Sequence, residues 1–280
     1  GLGWKGKHID ELYTTYKFTD QMRALISKMS EHAPVSCRDW HTVRVLQQNG
    51  YDDCIMTGCP AWYCLEFLQY SDMGKQLTAG EETICISDPA NEKNIDFVIP
   101  LVRAVRSIFP DSPIIYVVHR DKVNDVGLNA KYNKHLKTLT DALGKWGGVE
   151  QVCIANGSKG FAIYDTCKFH IGFRVHAHIY NLSRGKQSIL INEDARGRGV
   201  NDALGLENIE PETWIRIAGE RTGRIQVALQ ARNPEIAFQN KIEHYLDMNV
   251  QTHGFIYKRA WNSIREYYNA MCEYIKSWER

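Results

Sequence analysis

Between residues 83 and 192 the sequence alternates short apolar runs with longer segments of helical periodicity. The runs are typical of buried strands and lie at 83–87, 114–119, 149–154, 169–172 and 188–192. The helical segments fall between them, at 94–108, 131–146, 160–165 and 174–183. Strands that alternate with helices pair in parallel through right-handed crossovers. The pattern therefore predicts an α/β fold with a parallel sheet.

The flanking segments carry weaker signals. Before the alternation the sequence predicts a helix over 9–30, a helix near 40–48 and a short strand at 54–56. Residues 71–81 are polar and contain glycine, which predicts a linker. The tail from about 211 is predicted to be mostly helical, with an aromatic stripe near its end that packs against the rest of the protein.

Composition excludes some classes of function. A formal net charge of +1 over 280 residues provides no general attraction for nucleic acid, and no apolar run reaches membrane-spanning length. The eight cysteines show no zinc-ligand spacing, so we expect reduced core residues and no metal site. Cys85 and Cys153 lie in strand-like runs and are predicted to pack in the core.

Arg174 and His176 lie at a strand-to-helix junction. On a helix over 174–183 they flank an apolar stripe in the first turn, where backbone amides add positive potential. A carboxylate or phosphate bound there would meet amides, guanidinium and imidazole together. The alternative is a surface arginine and a capping histidine. His178 lies nearer the stripe and is predicted to pack or to form a buried hydrogen bond.

Two further junctions carry arginine. Asp39 is predicted to cap a helix or to hold Arg38 bidentately toward a ligand, with a surface salt bridge as the alternative. Residues 192–199 follow a strand and contain glycines that would let the backbone approach a ligand, with Arg196 or Arg198 supplying charge. The alternative for that segment is a solvated loop.

Three other residues follow predicted strands. His119 and Asp88 are expected at strand ends that face a cleft, where they contact substrate. Cys59 lies in a turn after residues 54–56 and has the chemistry of a nucleophile. The sequence assigns it no histidine partner, so a catalytic role for Cys59 is not favoured.

The order of these junctions resembles the polysaccharide pyruvyl transferase family. The resemblance runs from about Val35 to Leu206. Its motifs are Val-Ser-x-Arg-Asp-x-x-Thr at 35–42, Thr-Gly-x-Pro at 57–60, Gly-x-Arg-x-His-Ala at 172–177, Gly-Lys-Gln-Ser-Ile-Leu-Ile at 185–191, Arg-Gly-x-Gly at 196–199 and Leu-Gly-Leu at 204–206.

The resemblance implies two Rossmann-like halves with parallel sheets in a GT-B-like arrangement, and a site in the cleft between them. Residues 1–75 would be the N-terminal half, truncated before Gly1. Residues 76–250 would be the C-terminal half that carries the donor site. Residues 251–280 would form a helix that packs back on the first half.

The resemblance also implies an activity. The pyruvyl group of phosphoenolpyruvate, a donor substrate rather than a cofactor, moves onto sugar hydroxyls as a ketal and phosphate is released. The acceptor would be a polysaccharide or a lipid-linked glycan precursor, with no nucleic-acid partner. We expect a cytoplasmic protein, peripheral to a membrane where glycan is assembled.

Site roles follow from the same resemblance. His176 would act as general acid or polarise the phosphate, while Arg174 and Arg38 hold the anion. Arg196, where the family usually has Lys, would bind carboxylate or leaving phosphate, and Asp39 would orient Arg38. Cys59 stands where many relatives have Asp. A nucleotide-sugar-dependent GT-B glycosyltransferase and a catalytically inactive fold that binds a glycan or partner are the alternatives.

Overall fold

The structure is a computed structural model that describes residues 16–68, 83–120, 137–139, 141–144, 148–155, 157–211 and 233–278. Its strands are β1 (Val35–Cys37), β2 (Cys54–Met56), β3 (Ile84–Ser87), β4 (Ile114–Val118), β5 (Val149–Cys153), β6 (Phe169–Gly172) and β7 (Gln187–Leu190). Its α-helices are α1 (Asp20–Met29), α2 (Trp40–Gln48), α3 (Leu65–Leu68), α4 (Val98–Ile108), α5 (Val175–Ser183), α6 (Ala195–Leu204), α7 (Pro234–Gln251) and α8 (Phe255–Ser277). Short 3₁₀ helices cover Pro60–Trp62, Glu92–Phe97 and Ser158–Thr166.

The described chain divides into two compact units. The five-strand unit comprises described residues within 83–193 and 209–255, and the two-strand unit comprises residues 16–68, 194–208 and 256–278. Both sheets are parallel, so the predicted α/β class is confirmed. The resemblance implies boundaries near residues 75 and 250, with the last segment packed back on the first half. In this division residues 256–278 belong with residues 16–68, and so do residues 194–208.

The sheet of the five-strand unit has the order β5-β4-β3-β6-β7. Alternate residues of each strand point to opposite faces. Ile84 and Ile86 of β3 join the core cluster formed with α4 and α7, whereas Cys85 joins the smaller cluster that includes Ala177 of α5. Helices therefore cover both faces, as expected for buried parallel strands.

Segments far apart in sequence form the two-strand unit. Strand β1 pairs with β2, with Val35 opposite Cys54. The hydroxyl of Tyr274, in α8, donates to the carbonyl of Pro34 at 2.7 Å. The last helix thus packs on the part of the chain that precedes β1, through an aromatic residue of the predicted stripe.

Most element boundaries agree with prediction, and the exceptions have local causes. Within the described residues, the helix predicted over 9–30 begins only at Asp20, because the Thr19 side chain accepts the Met22 amide and caps it there. The first part of the helix predicted over 94–108 is a 3₁₀ turn. Pro100 has no amide hydrogen and is tolerated only in the first turn of α4.

The cysteine predictions had mixed outcomes. The described cysteines are free thiols, and Cys85 is fully buried as predicted. Cys153 is exposed, so its predicted core position was wrong, because β5 is the edge strand of its sheet. The linker predicted at 71–81 and most of the helix predicted at 131–146 lie outside the described residues.

Candidate functional site

The strand order creates a switch point between β3 and β6. The chain runs outward from β3 to β4 and β5, then returns to place β6 and β7 on the other side of β3. Open parallel sheets bind ligands beyond the carboxyl ends of their strands at such a point. Asp88 follows β3, His119 follows β4, and Arg174 lies two residues after β6. The structure thus brings these three predicted residues to one edge of the sheet.

Arg174 and Asp88 form a bidentate ion pair. The guanidinium Nε and Nη2 atoms donate to the two carboxylate oxygens, each at 2.7 Å, and Nη2 also donates to the Pro89 carbonyl at 3.2 Å. Asp88 is fully buried. Burial raises the pKa of its carboxyl, against the opposing effect of Arg174. Arg174, predicted as the first helical residue, is the N-cap of α5, and its side chain is held by Asp88.

His119 and His176 accompany this pair. The backbone amide of His119 donates to Asp88 at 3.1 Å, and its Nε2 lies 2.6 Å from the Tyr164 hydroxyl. Burial, and then the charges of Arg174 and His176, lower the pKa of His119 to about 3. His119 is therefore neutral at physiological pH. His176 is exposed in the first turn of α5, near enough to influence His119 electrostatically.

The turn from β6 into α5 depends on glycine. Gly172 has φ +152°, and a Cβ there would lie 2.4 Å from Ser87 Oγ and 2.5 Å from the Ser87 carbonyl oxygen. This approach lets the Arg174 amide donate to Ser87 Oγ at 3.1 Å. Ser87 and Asp88 thus hold the backbone and the side chain of Arg174 respectively.

A buried polar chain continues beneath this turn. His170 Nε2 lies 2.9 Å from Ser87 Oγ, and its Nδ1 lies 2.6 Å from Ser188 Oγ. His178 Nδ1 is 2.8 Å from the same Ser188 oxygen, which confirms the buried hydrogen bond predicted for His178. Burial lowers the pKa of His170 well below its ordinary value. This series of hydrogen bonds therefore connects α5, β7, β6 and β3 through His178, Ser188, His170 and Ser87. The lowered pKa of His170 keeps its imidazole neutral, with one donor and one acceptor nitrogen.

Glu193 organises the loop that follows β3. Its carboxylate accepts the backbone amides of Ala90 and Asn91, both at 2.8 Å, and the Asn94 side-chain amide at 2.9 Å. Burial raises the pKa of Glu193, and these hydrogen bonds oppose the shift. Glu193 is thus a support for the loop next to Asp88. Among the described residues, no three His, Cys, Asp or Glu side chains are grouped as metal ligands.

Arg38 and Asp39 lie at the end of β1 in the two-strand unit. Asp39 caps α2, since one carboxylate oxygen accepts the Thr42 amide at 2.8 Å and the Thr42 hydroxyl at 2.9 Å. Its other oxygen lies 3.6 Å from Arg38 Nε. Asp39 therefore caps the helix and also contacts Arg38, the two roles that the sequence suggests for it. The contact with Arg38 is a single ion pair and not the bidentate pair that was predicted. Burial raises the pKa of Asp39.

The glycine-rich segment that contains Arg196 is helical from Ala195 onward, so the solvated loop considered as the alternative is not what the structure shows. Asp194 caps α6 by accepting the Arg196 amide at 2.9 Å, and it also binds Arg196 Nη2 at 2.6 Å. A Cβ at Gly199 would lie 2.9 Å from Asp39 Cγ. Gly199 therefore permits close packing of α6 against the start of α2, whereas the glycines of this segment were expected to let the backbone approach a ligand.

Cys59 lies in the turn after β2 and is nearly buried. Burial raises the pKa of its thiol, although Arg38 has an opposing effect. A protonated, enclosed thiol is a poor nucleophile. This environment agrees with the prediction that Cys59 is not catalytic.

Comparison with known proteins identifies one family. The model of that family, polysaccharide pyruvyl transferase, matches residues 9–194. No curated protein matches the chain. In the part of the chain that the structure describes, no helix has the length and apolar character needed to cross a membrane.

Several solved structures resemble the chain weakly. S. aureus MnaA in a co-structure with UDP has 12% identity and a TM-score of 0.45, covering 82% of this chain and 64% of that one. A UDP-forming trehalose-phosphate synthase from Burkholderia xenovorans has 12% identity and a TM-score of 0.44. The match covers 72% of this chain and 45% of that one. The Methanocaldococcus jannaschii UDP-GlcNAc 2-epimerase, in complex with UDP-GlcNAc and UDP, has 12% identity and a TM-score of 0.44. The match covers 81% of this chain and 63% of that one. The chain spans less than two thirds of each of these proteins, and similarity at this level does not bear on its function.

Proposed function

Because the chain belongs to the polysaccharide pyruvyl transferase family, we propose that it transfers the pyruvyl group of phosphoenolpyruvate onto sugar hydroxyls of a glycan as a ketal. The observation that supports this most is the meeting of Arg174, His119 and His176 at the switch point of the five-strand unit. Ligands of open α/β sheets bind at that place. A polysaccharide or a lipid-linked glycan precursor is the acceptor that the family implies.

The charge of the donor suits this edge of the sheet. Phosphoenolpyruvate carries about three negative charges at neutral pH, most of them on its phosphate. The Arg174 guanidinium and the positive N-terminal end of α5 supply the matching potential. His119 is neutral, with a pKa of about 3, so it would contact the substrate as a hydrogen-bonding group. We assign buried Asp88 to the orientation of Arg174, in place of the direct substrate contact expected from the sequence.

His176 is the proposed general acid. It is exposed, and imidazole exchanges protons near working pH. His176 would protonate the methylene carbon of the donor, which becomes the methyl group of the product, while positive charge develops on the adjacent carbon. One sugar hydroxyl bonds to that carbon, phosphate leaves with the electrons of the broken C–O bond, and a second hydroxyl closes the ketal. The two hydroxyl protons pass to His176 and to phosphate.

The two-strand unit contributes further proposed substrate-binding residues, namely Arg38, Asp39 and Arg196. Asp39 caps α2 and pairs with Arg38, so it would set the direction of that guanidinium. Arg196 is held by Asp194 at the start of α6. Because a guanidinium is planar where an ammonium is compact, Arg196 would bind an anion with a different geometry from the lysine usual in this family.

The test is the substitution His176→Ala, assayed as phosphate release from phosphoenolpyruvate with a panel of pyranosides and disaccharides as acceptors. We expect kcat to fall by at least about 100-fold, the usual contribution of a general acid.

His244→Ala is the matched control, because His244 is an exposed helical histidine of α7, an element that contributes none of the proposed site residues. Wild-type rates in His176→Ala would remove His176 from the chemistry. Thermal stabilisation of the wild type by UDP but not by phosphoenolpyruvate would contradict the proposed donor.

A further inference from the structure

Trp40 is a half-exposed tryptophan, 46% exposed, directly after Arg38 and Asp39 at the start of α2. Indole is the largest apolar side chain, and full burial would be the more favourable arrangement in the absence of a ligand. Arg38 Nε and Nη2, at the same corner, are buried and have no hydrogen-bond partner among the described residues. Buried donors of this kind cost free energy until an acceptor meets them.

Trp40 is held rigidly although it is exposed. Its Nε1–H donates to the Tyr267 hydroxyl at 3.0 Å, and that hydroxyl donates to the Ala203 carbonyl at 3.1 Å. The Tyr267 ring also stacks on the buried Trp62 ring, with centroids 6.0 Å apart. An aromatic side chain whose orientation is already fixed loses little conformational entropy when a ligand covers it.

The aromatic cluster of Trp40, Trp62 and Tyr267 lies against the strand ends that carry Arg38. Gly58, in the turn after β2, has φ +80°, and a Cβ there would lie 2.9 Å from both Trp62 and Tyr267. The Gly58 amide donates to the carbonyl of Cys37, the last residue of β1, at 3.2 Å. The cluster and Arg38 therefore share the carboxyl edge of the β1–β2 sheet.

We propose that Trp40 is an aromatic platform for the ring of the acceptor sugar, and that the N–H groups of Arg38 donate to oxygens of the bound saccharide. A pyranose ring has an apolar face of C–H groups that packs on the electron-rich face of an indole, and its hydroxyl oxygens accept hydrogen bonds. The fixed indole offers the first kind of contact, and the buried Arg38 Nε and Nη2 groups, which lack a hydrogen-bond partner among the described residues, offer the second. The inference rests on the proposed function, in that it names where the acceptor binds.

The experiment measures sugar binding in the absence of phosphoenolpyruvate. The full chain is titrated with methyl glucoside, methyl galactoside, methyl mannoside, methyl N-acetylglucosaminide and their disaccharides, with saturation-transfer NMR and tryptophan fluorescence as readouts. We expect at least one of these probes to bind with the axial C–H protons closest to the protein. Trp40→Ala should weaken that binding by at least about 10-fold, and Trp40→Phe by less, because a phenyl ring keeps a smaller platform.

Trp278→Ala is the matched control, since Trp278 is 63% exposed at the end of α8 and lies outside the cluster; we expect unchanged sugar binding. Equal sugar affinities in the wild type, Trp40→Ala and Trp40→Phe would overturn the platform, as would a wild type that binds none of the probes. Thermal melting shows whether each variant is folded, and Trp40→Phe decides the question should Trp40→Ala unfold. Phosphoenolpyruvate affinity, measured on the same proteins, separates the two proposals: a wild type that binds sugar but not phosphoenolpyruvate contradicts the proposed donor alone.

Discussion

Asp88 shows how one buried carboxylate can organise a site. Its oxygens accept the guanidinium of Arg174 and the backbone amide of His119, so it links the ends of three strands. The sequence predicts Asp88 as a strand-end residue. It does not reveal the partner, because Arg174 is 86 positions away and only the pairing of β3 with β6 brings the two together.

Asp88→Asn tests this role. An asparagine cannot present two anionic oxygens to Arg174, and the substitution leaves a largely buried guanidinium without a counter-charge. We expect the free energy of unfolding in urea to fall by about 3–5 kcal/mol. Asp165→Asn is the control, because its ion pair with Arg184 is more exposed and should contribute about 1 kcal/mol or less. Equal losses in the two variants would contradict the organising role of Asp88.

Other polar residues beside the site were missed in the sequence. Ser87, His170 and Ser188 are polar residues of buried strands, at positions that all face α5. Their presence in buried strands was a signal available from the sequence. Glu193 left a weaker signal, since an acidic residue after a strand is common. Their hydrogen-bond partners depend on strand register, which a single sequence does not determine.

At the scale of elements, the junction of β6 with α5 depends on Gly172. The Arg-x-His motif indicated a strand followed by a helix, and both are present. The motif did not indicate that the backbone would pass so close to Ser87 that a side chain has no room. The helix that begins at Ala195 was not predicted, for a related reason. Glycine usually breaks helices, but here Asp194 caps the helix and the glycines allow it to pack closely.

Gly172→Ala should therefore be strongly destabilising. The new Cβ would meet backbone atoms of Ser87 at 2.5–2.6 Å, and the positive φ adds strain. We expect a loss of about 3 kcal/mol or more in the free energy of unfolding, with reduced phosphoenolpyruvate affinity because the Arg174 amide shifts. Gly144→Ala is the matched control. Gly144 is helical with nothing within 4 Å of the added Cβ, and alanine there should stabilise by up to about 1 kcal/mol. A mild effect at Gly172 would show that the close approach is not required.

At the scale of the whole molecule, the sequence predicts the α/β class and the parallel sheets because strand and helix periods are local signals. The family resemblance already places a C-terminal helix over 251–280 on the first half, and residues 256–278 belong with residues 16–68. The sequence does not predict that residues 194–208 belong there too. That grouping depends on contacts such as Tyr274 with Pro34 and Gly199 with Asp39. Tyr274 belongs to the predicted aromatic stripe, but the contact of Gly199 with Asp39 joins residues distant in sequence and leaves no periodic pattern.

Buried neutral histidine makes the stability of the fold depend on pH. The folded pKa of His170 lies well below the unfolded value near 6.5, so below that pH the unfolded chain binds a proton that the folded chain does not. Stability is therefore lost as the pH falls. One such histidine should cost about 2 kcal/mol between pH 7 and pH 5. The free energy of unfolding, measured by urea titration at each pH, should fall between pH 7 and pH 5 by about 2 kcal/mol less in His170→Asn than in the wild type. This difference does not depend on the absolute stability of the variant. The exposed His244→Gln serves as control, and identical pH slopes for His170→Asn and the wild type would refute the assignment.

The position of β3 in its sheet also sets an order of assembly. Strand β3 can pair with β4 once residue 118 has been synthesised, but its other neighbour, β6, is complete only at residue 172. During synthesis, Asp88 therefore has no Arg174 to pair with until more than eighty further residues have been added. Closing so long a loop is slow, and the unpaired edge of β3 is exposed in the meantime. The proposed donor site, which β3 and β6 border, therefore forms only after this long-range pairing.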